Sequence, residues 1–154
     1  MSFLFNLLFF VWGFTLPIFA QGIKPHFLVN VGYAHQNENS VSIGPELYFV
    51  YKNNQITSLN VNGVYDLSNS RFFPEVNVSH RFNVNFLNPY SQNIKSNFFS
   101  LGTSGSKYYI RPEFGLNFLD IITLKTGYNF SIDKEEIYKG MVYGINLHIP
   151  LVLF

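Results

Sequence analysis

The chain has no cysteine in its 154 residues. That absence excludes a disulfide framework, a thiolate zinc site, a cysteine nucleophile and a lipid-modified N-terminal cysteine. Charge of either sign is missing from the start of the chain: all 10 basic and all 9 acidic residues follow Ala20. The net balance of +1 lacks the basic excess of a nucleic-acid binder, so no nucleic-acid partner is expected. Beyond Ala20 there are no long apolar blocks either, although 47% of the chain is hydrophobic and 19% aromatic. A composition this apolar can bury enough surface to fold, which excludes a disordered chain. The apolar residues alternate with polar ones, Asn above all.

Positions 3–19 are almost continuously apolar, broken by Pro17, and the run ends on Ala20 before Gln21-Gly22. An apolar core, a helix breaker and a small terminal residue have the form of a secretory signal peptide. The competing reading is an uncleaved anchor helix, which needs about 17–25 apolar residues, and Pro17 leaves the uninterrupted stretch short. The expected organisation is a signal peptide over 1–20 and one domain over 21–154, working outside the cytoplasm.

The strongest period-two pattern covers 74–86. One parity carries Pro74, Val76, Val78, His80, Phe82, Val84 and Phe86. The other carries only polar residues: Glu75, Asn77, Ser79, Arg81, Asn83 and Asn85. Side chains of an extended chain point alternately to opposite faces, so this segment is predicted to be a two-faced strand. It exceeds the usual 5–6 residues of a soluble strand and suits a tilted membrane strand, which needs about 9–11. Six more segments, entered at Phe27, Ile43, Leu59, Ile110, Ile122 and Met141, repeat the pattern. In one of them Ile110, Pro112, Phe114, Leu116 and Phe118 oppose Arg111, Glu113, Gly115 and Asn117. An eighth strand is expected over 93–101, where the adjacent Phe98 and Phe99 blur the phase. The polar stretches 36–40, 66–71, 102–107 and 131–140 are predicted as loops, and 52–55, 87–92 and 119–120 as turns. Eight strands put all four loops on one side, and the turns and both termini on the other. That is the layout of an all-β, up-and-down antiparallel barrel.

Alternation alone also fits a soluble, exported, lipocalin-like barrel whose apolar face turns inward around a small apolar ligand. Three features favour the inverted arrangement. Aromatic residues gather near strand ends (Phe27, Tyr33, Tyr51, Tyr65, Phe82, Phe86, Tyr108, Phe118, Tyr128, Phe130 and Tyr143), where a membrane barrel carries its girdles. The polar parity holds Glu46, Glu75 and Glu113 with Arg81, Arg111 and Lys125 in mid-strand, three acids against three bases. Charges in a narrow lumen must pair to offset desolvation, so these six are predicted to form a structural network across the interior. Finally, the apolar parity carries more large side chains than an eight-strand interior can hold.

Three closing passages, Tyr109-Ile110-Arg111-Pro112-Glu113-Phe114-Gly115-Leu116-Asn117, Leu124-Lys125-Thr126-Gly127-Tyr128-Asn129 and Gly144-Ile145-Asn146-Leu147-His148-Ile149-Pro150-Leu151, carry a resemblance. Together with the apolar leader they make the chain, from Lys24 onward, similar to the small eight-stranded outer-membrane β-barrel proteins of Gram-negative bacteria. The resemblance implies an outer-membrane location, lipid and the barrel-assembly machinery as partners, and a monomer without cofactor. It also implies loops open to surface contacts and a lumen filled by side chains. In that class a C-terminal aromatic helps the machinery recognise its client. Phe154 stands in that place here but on the opposite parity from Ile145, Leu147 and Ile149, so either Pro150 marks a bulge that resets the phase or the signal is imperfect.

Some members of that class are lipid-modifying enzymes that use His with Ser and an acid. Here the nearest pair, Ser79-His80, occupies adjacent strand positions that point apart. His35, Glu38 and Ser40 lie near one rim with no spacing that joins them. His26, His35, His80 and His148 show no metal-ligand spacing, and Asp133, Glu135 and Glu136 share a loop with Lys134 and Lys139. The run 102–107 lacks the spacing and the strand–helix context of a phosphate loop. His148 is expected to be a hydrogen-bonding partner in the lumen, and His80 an interfacial residue. The expectation is a non-enzymatic barrel with no cofactor or metal site; a lipid-modifying enzyme is the most distant alternative.

Overall fold

The computed structural model describes residues 25–36, 38–51, 55–83, 97–119, 121–132, 134 and 137–151. The expected signal peptide lies outside these residues, as do Val84, Phe86, Asp133, Glu135, Glu136 and Phe154. Eight strands follow one another: β1 (Pro25–His35), β2 (Asn39–Val50), β3 (Ile56–Asp66), β4 (Arg71–Asn83), β5 (Asn97–Ser106), β6 (Tyr109–Phe118), β7 (Ile122–Ser131) and β8 (Gly140–Pro150). Each pairs antiparallel with the next, and β8 closes on β1. A closed barrel leaves no strand edge unpaired.

The stagger of the strands follows from their register. Beginning at Pro25, successive partners are Phe49, Thr57, His80, Leu101, Phe114, Thr126 and Tyr143, and Tyr143 faces His35 back on β1. One circuit therefore climbs 10 residues, from 25 to 35. Eight strands with that stagger tilt by roughly 40°, given the usual strand spacing and rise. Strands of 10–13 residues then stand about 25–33 Å tall along the barrel axis.

The polar parity points inward and the apolar parity outward. Asn30, Glu46, Ser58, Asn60, Glu75, Arg81, Ser104, Arg111, Asn117, Asn129 and His148 are all buried. Phe27, Ile43, Val61, Tyr65, Phe130, Tyr143 and Ile149 are exposed on the outer wall. Outward aromatics lie near both ends: Phe27, Tyr51, Phe82 and Phe118 toward the turns, Tyr33, Tyr65, Phe72, Phe130 and Tyr143 toward the loops. Tyr108 departs from the expected girdle. It packs with Phe73 and Tyr138 at the lumen mouth, because it follows directly on the tight turn that ends β5.

Several strand boundaries differ from the sequence expectation: β2 begins at Asn39 rather than Ile43 and β3 at Ile56 rather than Leu59, and two further differences have a visible cause. β5 runs to Ser106, so 102–107 is mostly strand rather than loop. Its small residues have the chemistry of a turn, yet they fit a crowded sheet. A Cβ on Gly102 would come within 2.8 Å of both Ser79 Cβ and the Val78 carbonyl oxygen. β4 begins at Arg71 rather than at Pro74. Phe72 points out and Phe73 points in, so alternation persists while both faces are apolar. The cause is an apolar cap inside the barrel. Val64, Phe73, Tyr109 and Tyr138 close the loop end, and Leu28, Tyr48 and Ile56 close the turn end.

Candidate functional site

Among the described residues, the lumen is where this fold concentrates chemistry. All six of the charged mid-strand residues point into it, and they gather into two groups. Toward the loops, Arg111 on β6 lies between two carboxylates. Its Nη2 donates to Glu75 Oε2 at 2.8 Å and its Nε to Glu113 Oε1. Lys125 Nζ stands 3.5 Å from the same Glu113 oxygen. Asn77 Nδ2 donates to Glu113 Oε2 at 2.9 Å, and Ser104 Oγ to Glu113 Oε1 at 2.9 Å. Tyr109 donates its hydroxyl to Glu75 and sets its ring 5.1 Å from the Arg111 guanidinium. Each carboxylate thus has several donors, the condition under which buried ions are tolerated.

Toward the turns, Glu46 and Arg81 approach to 3.7 Å. His148 completes this group. Its Nδ1 lies 2.6 Å from Glu46 Oε2, and Arg81 Nη2 lies 3.1 Å from its Nε2. This network assigns the proton to Nδ1, which donates to the carboxylate, and leaves Nε2 to accept from the guanidinium. Tyr48 caps the group with its ring 4.4 Å from the Arg81 guanidinium carbon.

His148 Nε2 also lies 2.9 Å from Thr123 Oγ1. Thr123, His148 and Glu46 therefore line up as hydroxyl, base and acid, the order of a hydrolase triad. Two features separate them from one. Thr123 Oγ1 donates to Asn117 Oδ1 at 2.7 Å, so its proton points away from the imidazole. The adjoining cavity is about 30 Å³, room for water and not for a substrate. With that proton on Asn117 and the imidazole proton on Nδ1, no hydrogen bond joins Thr123 to His148, and the row is broken at its first step.

The rim at the loop side holds a second polar cluster. Asp66 accepts from the backbone of Ser68 at 2.9 Å and from the Tyr138 hydroxyl at 2.8 Å. Asn69 Nδ2 joins Asp66 to Glu38. Burial and the neighbouring Asp66 carboxylate raise the Glu38 pKa above its ordinary value. Burial and the hydrogen bond to Asp66 likewise raise the Tyr138 phenol. Gln36 Nε2 donates to the Tyr138 carbonyl at 2.7 Å and ties the β7–β8 loop across the mouth.

The remaining histidine and hydroxyl candidates do not assemble. Ser79 faces inward onto Ser58 at 2.8 Å, whereas His80 faces outward onto Thr57 at 2.9 Å and Gln55 at 3.3 Å. His35 takes Asn39 at 2.8 Å, and Ser40 donates to the Ala34 carbonyl. Among the described residues no group of three or more His, Cys, Asp or Glu could hold a metal ion. Tyr48 follows from the parity it shares with Glu46, but Tyr109 and Tyr138 inside are not foreseen from the sequence pattern. Tyr48 and Tyr109 lie on the polar parity, and apolar residues confined to the ends of that parity are the available signal. No protein-family model matches the chain, and no curated protein matches it at a significant level.

Proposed function

We propose that this protein is a non-enzymatic integral outer-membrane β-barrel, exported through its N-terminal signal peptide and folded by the barrel-assembly machinery. In this reading the lumen is closed and structural, the barrel is a monomer, and the loops are its surface for contacts. The observation that carries the reading is the apolar outer wall, which continues around all eight strands with aromatic residues toward both ends. Such a wall in water would expose an apolar area far larger than soluble monomers show. A strand height of about 25–33 Å also suits an apolar band of about 25 Å. The interior supports a role other than conduction, because both ends are capped by buried side chains and the cavities along the axis are about 10–30 Å³.

Fractionation of expressing cells tests the reading. The protein should sediment with membranes and enter solution only with detergent. Recovery in the soluble fraction would instead support the exported binder of an apolar ligand. Val78→Arg sharpens the test, since Val78 faces outward and is 39% exposed. A cation on the lipid face near the midplane costs about 2–4 kcal/mol, so assembled barrel should fall well below wild type. Asn77→Arg, on the inward parity, should behave differently, and equal tolerance of both would overturn the assignment.

A further inference from the structure

We infer that the cavity at the centre of the lumen is an internal hydration site, holding one or two water molecules that the barrel needs to complete its polar interior. Three observations converge on it. The cavity is about 30 Å³, and roughly 10–15 Å³ suffices for one water. Its walls include Asn60 on β3, Asn117 on β6 and Asn146 on β8, at most 8% exposed. Asn60 Oδ1, Asn117 Nδ2 and Asn146 Oδ1 have no hydrogen-bond partner among the described residues. Turning the Asn117 amide end for end only exchanges the orphaned atom, because its other end faces the Thr123 hydroxyl, and turning Asn146 would set its oxygen against Asn30 Oδ1.

Lys125 supplies the third observation. Its ammonium carries three N–H donors, lines the same cavity, and has Glu113 at 3.5 Å as its carboxylate. A buried ammonium and three orphaned amide atoms from different strands leave both donors and acceptors facing one space. Water satisfies both kinds at once, whereas a chloride would meet only donors and a sodium ion only acceptors. The side chains that cap the two ends of the lumen keep such water from exchanging freely. This inference concerns the interior alone and stands whether the outer wall meets lipid or water.

The test is nuclear magnetic resonance of the refolded, isotope-labelled full barrel. Water–protein cross-relaxation should reach the Asn117, Asn60 and Asn146 side-chain amides with laboratory-frame and rotating-frame transfer of opposite sign, the mark of long-lived bound water. Absence of transfer at all three, with transfer present at loop amides, would overturn the inference. A shift of the same amides on adding sodium chloride, without water transfer, would also overturn it and assign the site to an ion. Asn60→Leu fills part of the cavity with apolar volume and should abolish or strongly weaken transfer to Asn146. If that variant does not fold, the wild-type spectra decide alone.

Discussion

The two ends of the lumen meet the same requirement with different chemistry. Each buries one arginine against a tyrosine ring, Arg111 with Tyr109 and Arg81 with Tyr48. On the loop side Arg111 contacts two carboxylates directly, and Lys125 supplies a second cation. On the turn side the guanidinium reaches Glu46 only at 3.7 Å, while the His148 imidazole reaches it at 2.6 Å. An ion pair taken out of bulk water offsets its desolvation only when the geometry is short and well aligned. Where the guanidinium stands off, the imidazole takes over the carboxylate. Charge balance in sequence therefore does not say which partner carries the load.

The largest expected effect comes from Arg111→Ala. Removing the cation shared by Glu75 and Glu113 should cost about 3–5 kcal/mol and lower the melting temperature of the refolded barrel. Adding Glu75→Gln should recover part of that loss, since one uncompensated carboxylate then disappears. An unchanged melting curve would break the comparison, because it would mean the loop-side charges are solvated. Arg81→Ala should cost less, about 1.5–3 kcal/mol, since His148 stays on Glu46. Combining it with His148→Gln should cost more than the two single changes together, measured as a double-mutant cycle. An Arg81→Ala loss equal to that of Arg111→Ala would reverse the ranking of the two ends.

The smallest effect is expected at the loop-side rim. Glu38 titrates above its ordinary 4.5 because of burial and Asp66. An acid raised on folding contributes its stabilisation below pH 4.5 and loses it as pH rises through the folded value. Glu38→Gln should therefore remove a shallow decline in stability above pH 4.5 and leave the protein slightly more stable at pH 7. Unfolding followed across that range in both proteins checks the sign. A steeper decline in the variant would place the carboxyl among attractive rather than repulsive neighbours.

Much of this architecture is legible in the order of the amino acids. Seven strands follow from alternation, and the six mid-strand charges from their shared parity. β5 is harder to read because Gly102, Ser104, Gly105 and Ser106 carry no hydrophobic signal. Small residues mark both turns and close backbone approaches, and only the neighbouring strand tells which. Phe72-Phe73 hides the start of β4 for a related reason, since the cap inside the barrel makes both faces apolar there. Parity alone places His148 in the lumen, but it says nothing of the grip on Glu46.

By itself the sequence determined seven of the eight strands, the up-and-down order of their connections, and which side chains of those strands share a face. Those properties follow from a two-residue period that is local to the extended chain. Tertiary structure alone decided who meets whom inside. Glu46 and His148 are 102 residues apart in sequence, and Arg111 and Glu75 are 36 apart. They meet because the circuit of the barrel climbs from Pro25 to His35. That stagger is a property of the closed sheet, so no single strand can encode the pairings it produces.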